Sequence, residues 1–85
     1  MITVRCLGHI GTSVGSREVF LEGPELEPSE IVERVRKVSG KQDPGFTAFN
    51  TLLMVEGGEV CVSATGRRKV KDGERVVLIP FSHGG

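Results

Sequence analysis

The most reactive stretch of the sequence is its last four residues, where Ser82 and His83 lead into Gly84-Gly85. A terminal diglycine offers one reactive group, its carboxylate, carried on two residues without a Cβ that can thread a narrow channel and approach partner backbone closely. The acyl carbon of Gly85, flanked by a methylene, is open to attack from either side. Such an end suits activation and transfer by another protein. A free glycine tail also loses more conformational entropy on binding, so a folded surface must supplement its affinity.

No other constellation competes with it. Cys6, His9, Cys61 and His83 are potential zinc ligands, but only Cys6-x-x-His9 is locally spaced, and the set would draw on a strand, a loop and the tail. No metal is expected, and the two cysteines read as reduced, partly buried thiols. No Ser/His/Asp set, paired carboxylates or phosphate-binding loop has supporting context. The expectation is a protein that is not an enzyme and binds no cofactor stably.

Composition narrows the class further. Eighty-five residues enclose one small core, with 38% hydrophobic and 26% charged residues in the ordinary globular range. Lys+Arg and Asp+Glu balance at 11 each, which argues against bulk nucleic-acid binding. No apolar run approaches the roughly 20 residues a membrane span needs, and Met1-Ile2-Thr3-Val4-Arg5 lacks a signal-peptide pattern, so a cytoplasmic location is expected. Arg67-Arg68-Lys69, the one dense basic cluster, reads as a solvated loop or as a contact to an acidic partner.

Periodicity outlines the strands and helix that carry this tail. Ile2, Val4 and Cys6 alternate with Thr3 and Arg5 as in a strand with one face inward. Gly8, Gly11, Thr12, Ser13 and Gly15 read as a turn-rich connection to a second strand, Arg17 to Glu22, and the pair as a β-hairpin. In that strand Val19 and Leu21 share one face, while Phe20, between Glu18 and Glu22, points outward or covers a neighbouring loop. Pro28 to Ser39 reads as a helix with Ile31, Val32, Val35 and Val38 on its apolar side. Glu27 or Ser29 is its N-cap, Pro28 suits its first turn, Arg34, Arg36 and Lys37 lie near its C-terminal end, and Gly40 caps it. Its β-branched residues lower intrinsic helicity, so packing must stabilise it.

Lys41 to Asn50 reads as a loop that tucks Phe46, Phe49 or both under the sheet. Leu52 to Val55 and Val60 to Val62 are apolar runs joined by Gly57-Gly58, a two-residue hairpin turn in which both positions tolerate positive φ. Lys71-Asp72-Gly73-Glu74 turns the chain into a last strand, Arg75 to Pro80. The order is ββαββ, an α+β arrangement of four to five strands in a mixed sheet with one main helix across one face, the first and last strands being central neighbours. That is the β-grasp layout. Residues 1–81 are read as the domain and 82–85 as a flexible tail.

The order of elements, the Asp72-Gly73 turn before an apolar final strand, Pro80, and Gly84-Gly85 together resemble the MoaD/ThiS group of ubiquitin-like proteins. That group includes the small subunit of molybdopterin synthase, the thiamine-pathway sulfur carrier and the small archaeal modifier proteins. Two departures are visible. Gly57-Gly58 replaces the common Asn-Gly turn, and His83 stands where many relatives have a small residue, which bears on the choice of activating enzyme.

The resemblance implies that an E1-like enzyme uses ATP to adenylate Gly85, releasing pyrophosphate. Sulfur delivery would then give a thiocarboxylate, a carrier for molybdopterin, thiamine or tRNA thiolation, in which the protein could also be the small subunit of a synthase. Attack by a lysine amine would instead give an isopeptide-linked protein modifier. A third reading is a non-covalent β-grasp interaction module. Gly85 is accordingly the expected attachment residue, Gly84, His83 and Ser82 the residues recognised in the tail, and Phe20 with Phe81, at the tail's root, the candidate partner surface.

Overall fold

The computed structural model describes residues 1–40, 46–47, 50–56, 60–63 and 69–80. Ile2–Cys6 forms strand β1 and Glu18–Leu21 forms strand β2, antiparallel with Val4 opposite Val19. Ile2, Val4, Cys6, Val19 and Leu21 are buried while Arg5, Glu18 and Phe20 are exposed, so the period-2 pattern sets the inner and outer faces as the sequence predicts.

The connection between these strands corrects the sequence reading, because Gly8–Val14 is a helix, α1, rather than a turn-rich loop. Glycines and hydroxyl residues oppose a helix there on propensity alone. Tertiary packing overrides them: Ile10 is fully buried, Val14 packs against the core one turn later, and Gly11 lies where a Cβ would come within 2.9 Å of the Cys6 carbonyl oxygen. Gly15 ends the helix at φ +82, its N–H donating to the Gly11 carbonyl at 2.9 Å.

Pro28–Ser39 forms helix α2 with the predicted bounds. Glu27 is its N-cap, and the Glu27 N–H donates to Glu30 Oε1 at 3.1 Å, while Gly40 closes the other end in the left-handed conformation. Ile31, Val32 and Val35 are fully buried. Val38 is not, at 53% exposure, so the apolar stripe stops a turn short of the helix end. Helical periodicity defines a face, but it does not say how far the layer covering that face extends.

Thr51–Val55 (β4) and Val60–Ser63 (β5) pair antiparallel with Val55 opposite Val60, while Gly57-Gly58 and Phe49 lie outside the described residues. Phe46, one of the two rings expected beneath the sheet, is buried at 1% exposure. Two short strands were not anticipated. Glu25–Leu26 (β3) and Val70–Lys71 (β6) form a separate two-stranded ribbon whose inner residues Leu26 and Val70 are buried and whose ends are joined by Lys69 Nζ to Glu25 Oε1 at 3.3 Å. Elements of two residues show no alternation to read.

Arg75–Pro80 (β7) follows a turn at Asp72-Gly73, where Gly73 takes φ +92. The main sheet has five strands in the order β2-β1-β7-β4-β5. β1 and β7 are parallel central neighbours with Val4 opposite Val76, and the other pairs are antiparallel. Val76 and Leu78 of β7 and Leu53 of β4 join the α2 side chains in one buried cluster on the inner face. Among the described residues no helix is long and apolar enough to cross a membrane.

Candidate functional site

The parallel pairing of β1 and β7 decides where the chain leaves the fold, because both strands end at the same edge of the sheet. There the Leu7 N–H donates to the Leu78 carbonyl at 3.1 Å, extending the pairing one residue past β1. Gly8, at φ +56, then lies against Pro80 so closely that a Cβ on it would stand 3.0 Å from Pro80 Cγ. Pro80 thus stands at the end of β7, opposite Thr51 of β4 and close to the start of α1. Phe81, Ser82, His83, Gly84 and Gly85 lie beyond it, outside the described residues.

Of the tail and partner-surface residues singled out in the sequence, Phe20 is the one among the described residues. It stands on the edge strand β2, pointing outward at 58% exposure, with Thr3 opposite it and Arg75 next in the same row across β7. Glu18 and Arg5 are opposite one another in the neighbouring row, which continues through Val77 of β7 to Met54 of β4. Arg5 Nη1 also lies 3.7 Å from Glu56 Oε1, an exposed ion pair worth at most a few tenths of a kcal/mol. A third row sets Ile79 opposite Leu52.

The outer face therefore has an apolar centre that sequence reasoning missed. Val77 is only 5% exposed yet lies outside the inner core cluster, and Met54, Leu52 and Ile79 are half-buried around it. A signal was present. Leu52 to Val55 and Val76 to Ile79 are apolar at both parities, and a sheet with one helical layer can bury only one of them.

The remaining chemistry at this end is quiet. An open cleft of about 630 Å³ lies between the end of β1, α1 and the approach to β2, with Arg5, Thr12 and Arg17 among its lining residues. Cys6 also borders it, but burial pushes the thiol from 9.0 up to about 11, which removes its nucleophilic form at neutral pH. Among the described residues no group of three or more His, Cys, Asp or Glu side chains is placed to hold a metal.

Neither a family model nor a curated protein matches the sequence. Among solved structures, the crystal structure of SAMP1 from Haloferax volcanii, a small archaeal modifier protein, is similar over 99% of this chain and 98% of that one, with a TM-score of 0.58 at 14% identity. The fold is a β-grasp. At that identity the likeness establishes the β-grasp architecture: helix α2 across one face of a mixed sheet, the first and last strands side by side at its centre.

Proposed function

We propose that this β-grasp protein is a ubiquitin-like sulfur carrier whose terminal glycine, Gly85, is adenylated by an E1-like enzyme and converted to a thiocarboxylate. The observation that carries this reading is the delivery of β7 to the closing residues: a central strand anchored through Leu78 and Pro80 leads directly into the segment ending Gly84-Gly85. A tail leaving the middle of a rigid sheet has a fixed root, so a partner that grips the sheet also positions the carboxylate. The chemistry comes from the partner, which supplies ATP. The carboxylate attacks the α-phosphate and releases pyrophosphate. A sulfur nucleophile then displaces AMP to leave sulfur on the Gly85 acyl carbon.

The outer face serves as the grip. Its centre at Val77, Met54, Leu52 and Ile79 is apolar, Phe20 adds an exposed ring at one edge, and Arg5 and Arg75 supply charge around them. Apolar centre with polar surround is the usual anatomy of a protein contact. Phe81 would extend this surface at the root of the tail, and Ser82, His83 and Gly84 would occupy the partner's channel. The protein acts in the cytoplasm, with an E1-like enzyme as its first partner and a synthase large subunit or conjugated target proteins as its next.

Likeness to SAMP1, a small archaeal modifier protein, supports a second outcome for the same activated glycine, attack by a lysine amine to give an isopeptide-linked target. Intact mass after expression beside the native sulfur-relay enzymes separates the two. A gain of about 16 Da, the difference between sulfur and oxygen, marks the carrier, and heavier conjugates that vanish on deletion of Gly85 mark the modifier. Absence of both leaves only the non-covalent module.

A further inference from the structure

Strand β2 is an edge of the five-stranded sheet, and its outward backbone groups can be assigned. The Cys6 N–H donates to the Arg17 carbonyl at 2.7 Å, so by antiparallel alternation Arg17, Val19 and Leu21 bond inward to β1 while Glu18, Phe20 and Glu22 direct their N–H and C=O groups to the open side. At one end Ser16 occupies both groups of Glu18: its hydroxyl donates to the Glu18 carbonyl at 2.8 Å and accepts the Glu18 N–H at 3.3 Å. At the other end Arg34 reaches across from α2, its Nη1 donating to the Glu22 carbonyl at 2.8 Å. Among the described residues of this edge, Phe20 alone is left with both groups open.

We infer that Ser16 and Arg34 close the free edge of β2 against strand pairing with a second copy of this chain. Two β2 strands meeting antiparallel about a two-fold axis would set Phe20 opposite its own counterpart, exchanging both backbone bonds and facing ring to ring. The flanking pairs would match Glu18 of one copy with Glu22 of the other. Forming those pairs would mean displacing Ser16 from both Glu18 groups and Arg34 from the Glu22 carbonyl. They would also place like charges directly opposite one another, which adds a second barrier. An edge with one open residue is too short to recruit a strand, and an exposed aromatic can therefore sit on it without cost to solubility. The same device directs partners to the outer face of the sheet rather than to its edge.

The test uses the full chain in sedimentation analysis. A Ser16→Ala, Glu22→Gln, Arg34→Ala variant should self-associate about tenfold or more tightly than the unmodified protein, the least expected from freeing the backbone pairs on both sides of Phe20. Adding Phe20→Pro should return it to monomer, since proline is tolerated where an edge N–H faces outward but cannot donate there. A variant that stays monomeric, or association that survives Phe20→Pro, overturns the inference. A measurement on the unmodified protein guards against variants that fail to fold. Its Phe20 amide should exchange hydrogen freely while those of Val19 and Leu21 are protected, and a protected Phe20 amide would show that the edge is already covered.

Discussion

Gly8 and Pro80 lie close across the end of the sheet: Gly8 adopts φ +56, and a Cβ on it would stand 3.0 Å from Pro80 Cγ, so tight that the proline ring would have to give. The contact joins the start of α1 to the last residue before the closing segment. It is one of the points that fix the root of the tail. Gly8→Ala should therefore cost about 1–2 kcal/mol, the left-handed backbone and the proline contact adding together. Gly15, with φ +82 and nothing within 4 Å of a built Cβ, isolates the backbone part. Gly15→Ala should cost only about 1 kcal/mol in the same urea titration, and an equal loss at both positions would show that the Pro80 contact contributes nothing.

Phe20 is exposed on the outer face, so its removal should leave the fold intact. Phe20→Ala is expected to change stability by less than about 0.5 kcal/mol while slowing activation by the E1-like partner. Thermal unfolding and adenylation kinetics on the same preparation check both halves. Unchanged kinetics would remove Phe20 from the partner surface.

Cys6 titrates above its ordinary range because burial disfavours the thiolate. Below pH 9.0 the thiol is protonated in both folded and unfolded chains and pH has no effect through it. Between 9.0 and about 11 the unfolded chain releases its proton first, so stability falls by up to about 1.4 kcal/mol per pH unit. A Cys6→Ala variant, less stable at neutral pH, should lack this alkaline component. Alkylation of Cys6 at pH 8 should likewise proceed at the rate of unfolding rather than of a free thiol.

Helix α2 offers an internal contrast between Val35, fully buried, and Val38, 53% exposed. Val35→Ala should cost about 2 kcal/mol, whereas Val38→Ala should stay within about 0.5 kcal/mol. Chemical denaturation of the two variants checks where the buried stripe ends.

Much of this β-grasp domain was legible because its main elements are amphipathic with clear periods. The alternation of Ile2 to Cys6, the helical spacing of Ile31, Val32 and Val35, and the glycine at position 40 each state one local structure, and together they gave the central pairing of first and last strands. What stayed hidden depends on tertiary contacts. Helix α1 exists because Ile10 is buried and Gly11 tolerates the Cys6 carbonyl, facts that no local propensity contains. The ribbon of β3 and β6 joins residues far apart in sequence through elements too short to carry a pattern. In the candidate site, Phe20 was legible from parity, but the apolar centre around Val77 was not, because its residues sit in runs that read as core on both faces.

On the proposed reading Gly85 is an acyl group activated by a partner that holds the folded domain. ATP–pyrophosphate exchange by the native E1-like enzyme tests it most directly, since both the carrier and the modifier outcomes pass through the same adenylate. The full chain should stimulate exchange, and deletion of Gly85 should abolish it without altering the thermal unfolding of the domain. Exchange that is absent with the full chain, or that persists undiminished after Gly85 is removed, would contradict the account.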